Sequence, residues 1–74
     1  MTLGELLNYF YGSVRIVEIS DSKKKRTIFR SLFFGSIHTL PYYLESRKVI
    51  EIYVSKKFCY TLEVLVSDKK DGVE

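Results

Sequence analysis

The chain of 74 residues has few of the residue types that form cross-links or metal sites. It contains one cysteine, Cys59, and one histidine, His38. A single cysteine cannot close an intrachain disulfide, and one cysteine with one histidine cannot complete a zinc cage. The four glycines are scattered along the sequence, which excludes a glycine-rich phosphate-binding loop. We therefore expect neither a metal nor a cofactor.

Membrane and export signals are also lacking. No apolar run approaches the ~20 residues that a helix needs to span a bilayer. The opening residues, Met1 to Glu5, have no basic segment and no small-residue cleavage site, unlike a secretory signal. Together with the unpaired thiol, these features favour a protein of the reducing cytoplasm that does not bind membranes.

The composition is that of a small globular domain rich in aromatic residues. Hydrophobic residues make up 46% of the chain and charged residues 28%, with a net charge of +3, which is typical of a folded chain. A chain of this length buries only about 60% of the surface that its unfolded form exposes, so its core is marginal. Six tyrosines and five phenylalanines supply additional buried area. We expect one α+β domain over residues 1–66 and a polar, disordered tail over residues 67–74.

Hydrophobic periodicity predicts two helices and four strands. Thr2 and Glu5 have the spacing of a capping box, and the apolar spacing after them predicts a helix over residues 2–11. Thr39 and Pro41 favour the start of a second, short helix. The expected fold is αββαββ, with a four-stranded, mainly antiparallel sheet, two short helices on one face and the strand order left open. Runs of β-branched and alternating apolar residues predict strands over residues 14–19, 26–34, 48–55 and 58–66.

Candidate catalytic residues are few. His38 precedes the predicted N-cap Thr39 in a loop, and Cys59 lies on the outward phase of the last predicted strand. A pairing of His38 with Cys59 as base and nucleophile is left open. A loop histidine and a small apolar cysteine fit the pattern better, and the carboxylates of residues 1–66 form no cluster for acid–base or hard-metal chemistry. We predict that the protein is not an enzyme.

One run of charge is a candidate binding site. Lys23, Lys24, Lys25 and Arg26 are expected at the tip of the first hairpin, with Arg30 just beyond them. A basic β-ribbon can lie along phosphates, so nucleic acid is one possible partner. The alternative is a solvated loop whose charges blunt the hairpin.

Two stretches of the sequence resemble a known group of proteins. They are residues 2–7 (TLGELL) and residues 35–44 (GSIHTLPYYL), the second leading into residues 49–52 (VIEI). They resemble small uncharacterised proteins from phages and prophages of Gram-positive bacteria. The resemblance covers nearly the whole chain and implies a capped helix, a hairpin, a Leu-Pro helix and a closing hairpin, in a protein of the host-cell cytoplasm. It implies no catalytic or binding residues, and the basic hairpin tip departs from the acidic or Gly-rich tip of that group.

Apolar residues occupy both phases of the predicted strands, which is more than two short helices can cover. Ile50, Ile52 and Val54 share a phase that we expect beneath the helices. Leaving the apolar residues of the other phase in water would cost several kcal/mol, so we expect another chain to bury them. We therefore predict a protein–protein interaction module that associates with itself or with an unidentified protein. The possible interface residues are Val17, Ile19, Phe29, Phe33, Tyr53 and Leu65.

Overall fold

The computed structural model describes residues 1–56 and 60–70, and its strands form one four-stranded sheet. The strand order is β2-β1-β4-β3. Strand β1 is antiparallel to β2 and parallel to β4, and β4 is antiparallel to β3. The elements are α1 (Leu3–Leu7), β1 (Gly12–Ile19), β2 (Lys25–Phe34), a 3-10 turn (Tyr42–Leu44), β3 (Arg47–Ser55) and β4 (Thr61–Lys70).

The predicted α+β fold with two short helices, αββαββ, is wrong. The described part of the chain is mostly sheet, and its single α-helix spans Leu3–Leu7 rather than residues 2–11. Asn8 is the C-cap of α1. The three residues 9–11 are aromatic and have low helix propensity, and Phe10 packs against the core while both of its neighbours stay exposed. The helix therefore ends before the aromatic residues, and Phe10 packs against the core from the segment that follows it.

The second predicted helix is also wrong, because a single 3-10 turn, Tyr42–Leu44, takes its place. Pro41 has an extended backbone with ψ 137°, so no helix starts before the turn, and β3 begins shortly after it. Leu44 is buried and joins the core. The carbonyl of Glu45 accepts the N–H of Gly4 at 2.9 Å, which ties the turn to α1.

Strand β4 continues past the predicted end of the domain. It reaches Lys70, so residues 67–70, assigned to the tail from the sequence, belong to a strand. Ser67 pairs with Ile19 of β1 in the sheet. Residues 71–74 lie outside the described residues, as do residues 57–59, which include the candidate thiol Cys59.

The core lies between one face of the sheet and the elements α1 and the 3-10 turn. The central strands contribute Val14 and Ile16 from β1 and Val64 and Val66 from β4, and all four have no exposed surface. We call this side of the sheet the helix face. The other buried members of the cluster are Leu3, Leu7, Phe34 and Leu44.

The predicted capping box at the start of α1 is confirmed. The N–H of Glu5 donates to the hydroxyl of Thr2 at 3.3 Å, and the N–H of Thr2 donates to the carboxylate of Glu5 at 2.9 Å. The hydrogen bond from the Thr2 backbone holds the pKa of Glu5 below its ordinary value. The helix is short, and this cap fixes its first turn.

Gly35 has less space around it than the other glycines of the described fold. It follows β2 with φ +86°, and a Cβ built on it would lie 2.7 Å from the carbonyl oxygen of Phe10 and 2.7 Å from a ring carbon of Tyr11. Gly12 also has a positive φ, +131°, but its nearest neighbour would be a ring carbon of Phe10 at 3.7 Å. The two glycines therefore share a backbone requirement and differ in the space around them.

We predict that Gly35→Ala destabilises the protein more than Gly12→Ala does. Both substitutions force a left-handed backbone at a cost of about 1–2 kcal/mol, and Gly35→Ala adds a clash with backbone that costs about 1–3 kcal/mol more. Urea denaturation of the two variants and the wild type measures the difference. Equal destabilisation by the two variants would show that the contact between Gly35 and Phe10 is loose.

Candidate interaction surface

The outer strands β2 and β3 carry the unpaired backbone groups of the sheet, and β2 is protected at both of its ends. At its C-terminal end Phe34 forms a bridge with His38, and the Ser31 hydroxyl lies 2.7 Å from Nδ1 of the same histidine. At its N-terminal end β2 carries Lys25 and Arg26, both exposed. A covering loop and charged side chains are two devices that keep an edge strand from pairing with another chain.

Strand β3 is covered only where it begins. Thr2 forms a bridge with Lys48, and the N–H of Val49 donates to the carbonyl of Met1 at 3.1 Å. From residue 50 to residue 54 every side chain is exposed. Within the described part of the chain, no other strand lies beyond β3. We call residues 50–54 the β3 edge.

The β3 edge is apolar for an exposed strand. The exposed fractions of Ile50, Ile52, Tyr53 and Val54 are 52%, 41%, 42% and 53%. Glu51 is the one charged residue among them. An exposed edge strand of β-branched and aromatic residues with little charge is a template for pairing with another strand.

The position of the helix explains why these residues remain in water. Ile52 pairs with Val64 and Val54 pairs with Leu62, so both project from the helix face. The five-residue helix α1 leaves this margin of the sheet uncovered, because Ile52 and Val54 stay exposed beside a fully buried Val64. Ile52 and Val54 therefore form an apolar patch on the side of the β3 edge that belongs to the helix face.

The opposite side of the sheet, which carries Arg15 and Val17 of β1, is called the open face here. The Arg15 guanidinium donates to Glu63 at 3.1 Å and to the hydroxyl of Thr27 at 3.1 Å. Val17 and its partner Leu65 are only 6% and 5% exposed. Neighbouring side chains of the same chain thus bury the apolar centre of the open face, with an ion pair in the same layer.

Tyr53 joins this polar layer from β3. It lies opposite Glu63 in the antiparallel pair of β3 and β4. A hydrogen bond with the Glu63 carboxylate raises the pKa of the Tyr53 hydroxyl above its ordinary value, and partial desolvation adds to the increase. Tyr53 therefore belongs to the β3 edge and also contributes to the polar layer of the open face.

The six interface residues predicted from the sequence do not form one patch. Phe33 and Tyr53 are exposed, but they lie on β2 and β3, at opposite edges of the sheet. The ring of Phe29 packs edge-on against Phe34, with centroids 6.1 Å apart. The predicted residues that are buried or half-buried are Val17, Ile19, Phe29 and Leu65.

The exposed residues that sequence reasoning missed are those expected beneath the helices. Ile50, Ile52 and Val54 have the alternation of a buried strand, and nothing in that pattern shows that β3 is an outer strand. Their alternation with Glu51 and Tyr53 was a signal for a strand. The strand order that exposes them depends on the parallel pairing of β1 with β4.

The basic residues of the predicted nucleic-acid site are separated between the two faces. Arg26 donates to Glu18 at 3.1 Å, and Arg47 donates to the other carboxylate oxygen of Glu18 at 2.6 Å. Arg30 pairs with Arg15 and so lies on the open face. All five predicted residues are exposed, and they are Lys23, Lys24, Lys25, Arg26 and Arg30.

His38 contacts a serine, and Cys59, its candidate catalytic partner, lies outside the described residues. Ser31 is only 4% exposed, and its oxygen also accepts the N–H of Phe33 at 3.2 Å. A buried hydroxyl held by two partners fixes the loop after β2 against that strand.

Among residues 1–56 and 60–70, no group of three or more His, Cys, Asp or Glu side chains is placed to hold a metal ion. None of the helices in that part of the chain has the length and hydrophobicity of a membrane span.

Comparison with known proteins gives no relative for this arrangement. No protein-family model, no curated protein and no solved structure matches the chain. The resemblance to small phage and prophage proteins therefore stays a prediction.

We predict that Glu63→Gln lowers the pKa of Tyr53 toward its ordinary value, because the Glu63 carboxylate is the main cause of the increase. Glu51→Gln is the matched control, since Glu51 is the smallest contributor to that pKa. Because the folded-state pKa is raised, the stability from this contact is complete below the ordinary tyrosine pKa and is lost as the pH rises through the raised value.

Titration of the tyrosine NMR signals, with Tyr53→Phe to assign the signal, measures both variants. An equal effect of Glu63→Gln and Glu51→Gln would contradict the assigned hydrogen bond.

Proposed function

We propose that this chain is a non-enzymatic protein–protein interaction module that self-associates through the open edge of its sheet. The observation that carries the proposal is the β3 edge, where five consecutive residues are exposed and four of them are apolar or aromatic. The presence of only one cysteine in the sequence supports a role in the reducing cytoplasm. The resemblance to phage and prophage proteins supports a host cell as the setting.

The contrast between the two edges supports association through β3 rather than β2. The β2 edge has a covering loop bridged at Phe34 and His38, and two basic residues at its other end. Beyond Val49, where the contact with Met1 ends, every residue of the β3 edge is exposed and only Glu51 is charged. An edge strand exposes one row of backbone donors and acceptors. A second strand that pairs with it forms hydrogen bonds with these groups and buries the apolar side chains of the edge.

The contacts on the open face favour an interface smaller than the whole-face interface expected from the sequence. Val17 and Leu65 are already buried within the chain, and the Arg15–Glu63 ion pair lies in the same layer. A partner covering this whole face would have to desolvate that ion pair, which costs free energy. Association along the strand edge does not require the part-buried ion pair to lose its remaining contact with water.

We predict that Ile52→Lys abolishes self-association while Ile37→Lys leaves it unchanged. Ile52 is an exposed isoleucine of the β3 edge, and Ile37 is an exposed isoleucine in the loop after β2. A lysine at position 52 places a charge in the apolar patch and blocks edge pairing. Sedimentation equilibrium between about 10 µM and about 1 mM measures the mass, because a small interface gives weak association.

The wild type and Ile37→Lys are expected to increase in mass with concentration, and Ile52→Lys is expected to remain a monomer. A wild type that stays monomeric over this range would contradict the proposal. Such a monomer that bound DNA or RNA in a salt-sensitive manner, and lost binding with Lys23, Lys24 and Lys25 changed to serine, would favour a nucleic-acid-binding function instead.

A further inference from the structure

We propose that two copies pair antiparallel along β3 in a single register, with Tyr53 opposite Tyr53 of the second copy. This inference rests on the proposed self-association and specifies its geometry. The two four-stranded sheets would join into one continuous sheet of eight strands, related by a two-fold axis perpendicular to the sheet. Only part of β3 is both regular and uncovered.

Residues 51–55 are the regular part of this strand. Glu51 pairs with Leu65 and Ser55 pairs with Thr61, and the pairs between them follow without a shift. The register with β4 shifts between Val49 and Glu51, so Ile50 lies in an irregularity. A bulge or irregularity bends an edge away from a new partner, which favours pairing through residues 51–55.

The symmetry restricts the possible registers. A two-fold axis perpendicular to the sheet keeps each face of one copy on the same side as that face of the other. Residues directly opposite each other must therefore share a face, so the axis passes through a residue and not between two. The candidates for the central residue are Glu51, Ile52, Tyr53 and Val54.

Three of these candidates create an unfavourable pair. An axis at Glu51 sets the two carboxylates directly opposite each other, and like charges in that position are destabilising. An axis at Ile52 brings Val54 opposite the irregular residue Ile50. An axis at Val54 places the regular residue Ile52 opposite the charged Lys56, whereas an axis at Tyr53 places only the irregular residue Ile50 there.

An axis at Tyr53 gives a self-complementary arrangement. Ile52 of each copy lies opposite Val54 of the other, so two β-branched apolar pairs form on the helix face. Glu51 of each copy lies opposite Ser55 of the other, where the hydroxyl can donate to the carboxylate. The two Tyr53 rings meet on the open face as an aromatic pair. No like charges face each other within residues 51–55.

This register also joins the two apolar patches. Ile52 and Val54 of one copy and the same residues of the other would form one strip across the axis on the helix face. Because Ile52 and Val54 belong to the same alternation of the strand, their backbone groups point in the same direction relative to β4. Pairing them with each other therefore satisfies backbone and side chains together.

Disulfide trapping tests the register in a Cys59→Ser background, which removes the chain's own thiol. In this register, Tyr53→Cys places two thiols on directly opposed residues, with Cα atoms about 4.5–5.5 Å apart, within the range that a disulfide spans. Ile52→Cys thiols lie on diagonal positions about 7–8 Å apart, and Glu51→Cys thiols lie about 13 Å apart along the strands. We expect Tyr53→Cys to cross-link at least about tenfold faster than either control in a glutathione buffer.

A mixture of Ile52→Cys and Val54→Cys chains provides a second measurement that keeps Tyr53 in place. The register sets these two positions directly opposite each other, so the mixed disulfide is expected to exceed both homodimeric disulfides. Faster cross-linking of Ile52→Cys or Glu51→Cys alone, in a chain that sedimentation shows to be dimeric, would overturn the register and leave the proposed function standing. A dimer that cross-links at none of these positions would overturn edge pairing, and a monomeric parent would overturn the proposed function itself.

Discussion

The parallel pairing of β1 with β4 determines most of what this molecule presents to its surroundings. It joins two antiparallel hairpins side by side, so that each hairpin contributes one central strand and one outer strand. The central strands are covered on the helix face and supply Val14, Ile16, Val64 and Val66 to the core. The outer strands are left with unpaired backbone, which the chain protects at both ends of β2 but only at the start of β3. The open β3 edge is thus a direct result of the strand order.

The shortage of helix determines where the apolar surface remains. A five-residue helix and one 3-10 turn cover the central strands, with Leu3, Leu7 and Leu44 reaching into the core. The same elements stop short of Ile52 and Val54, which lie on the same face at the outer strand. On the open face no helix is needed, because polar side chains surround Val17 and Leu65. The interaction surface is therefore a margin of the sheet rather than a whole face.

Local signals in the sequence predicted local structure well. The Thr2–Glu5 spacing predicted the capping box, and β-branched alternation predicted strands close to the observed β1, β2 and β3. The predicted length of the first helix was wrong. Residues 9–11 fit a helical period, but Phe10 packs against the core while Tyr9 and Tyr11 stay exposed. The second helix was wrong because Pro41 has an extended backbone and β3 follows too soon. Each of these errors comes from a tertiary constraint that periodicity does not contain.

The sequence predicted that the interaction surface is apolar, but it did not predict which residues form it. The sequence indicated more apolar residues than the helices cover, and the structure has such a surplus, but at Ile50, Ile52 and Val54 rather than at Val17 and Leu65. Strand order is the missing information, since it depends on pairing between segments far apart in the chain. The Ser31–His38 contact was missed for the same reason, because the loop that brings the two together returns along the edge of β2.

The separation between the two central strands has a consequence for synthesis on the ribosome. The hydroxyls of Ser13 and Thr61 lie 2.9 Å apart across the parallel pair, although 48 positions separate them in the chain. The first hairpin can form early, yet its inner strand has no partner on its other side until β4 has been translated. Contacts between such distant segments slow folding, because the intervening chain must be ordered before they form. During that interval the nascent hairpin exposes Val14 and Ile16, and transiently exposed apolar surface of this kind is prone to aggregation.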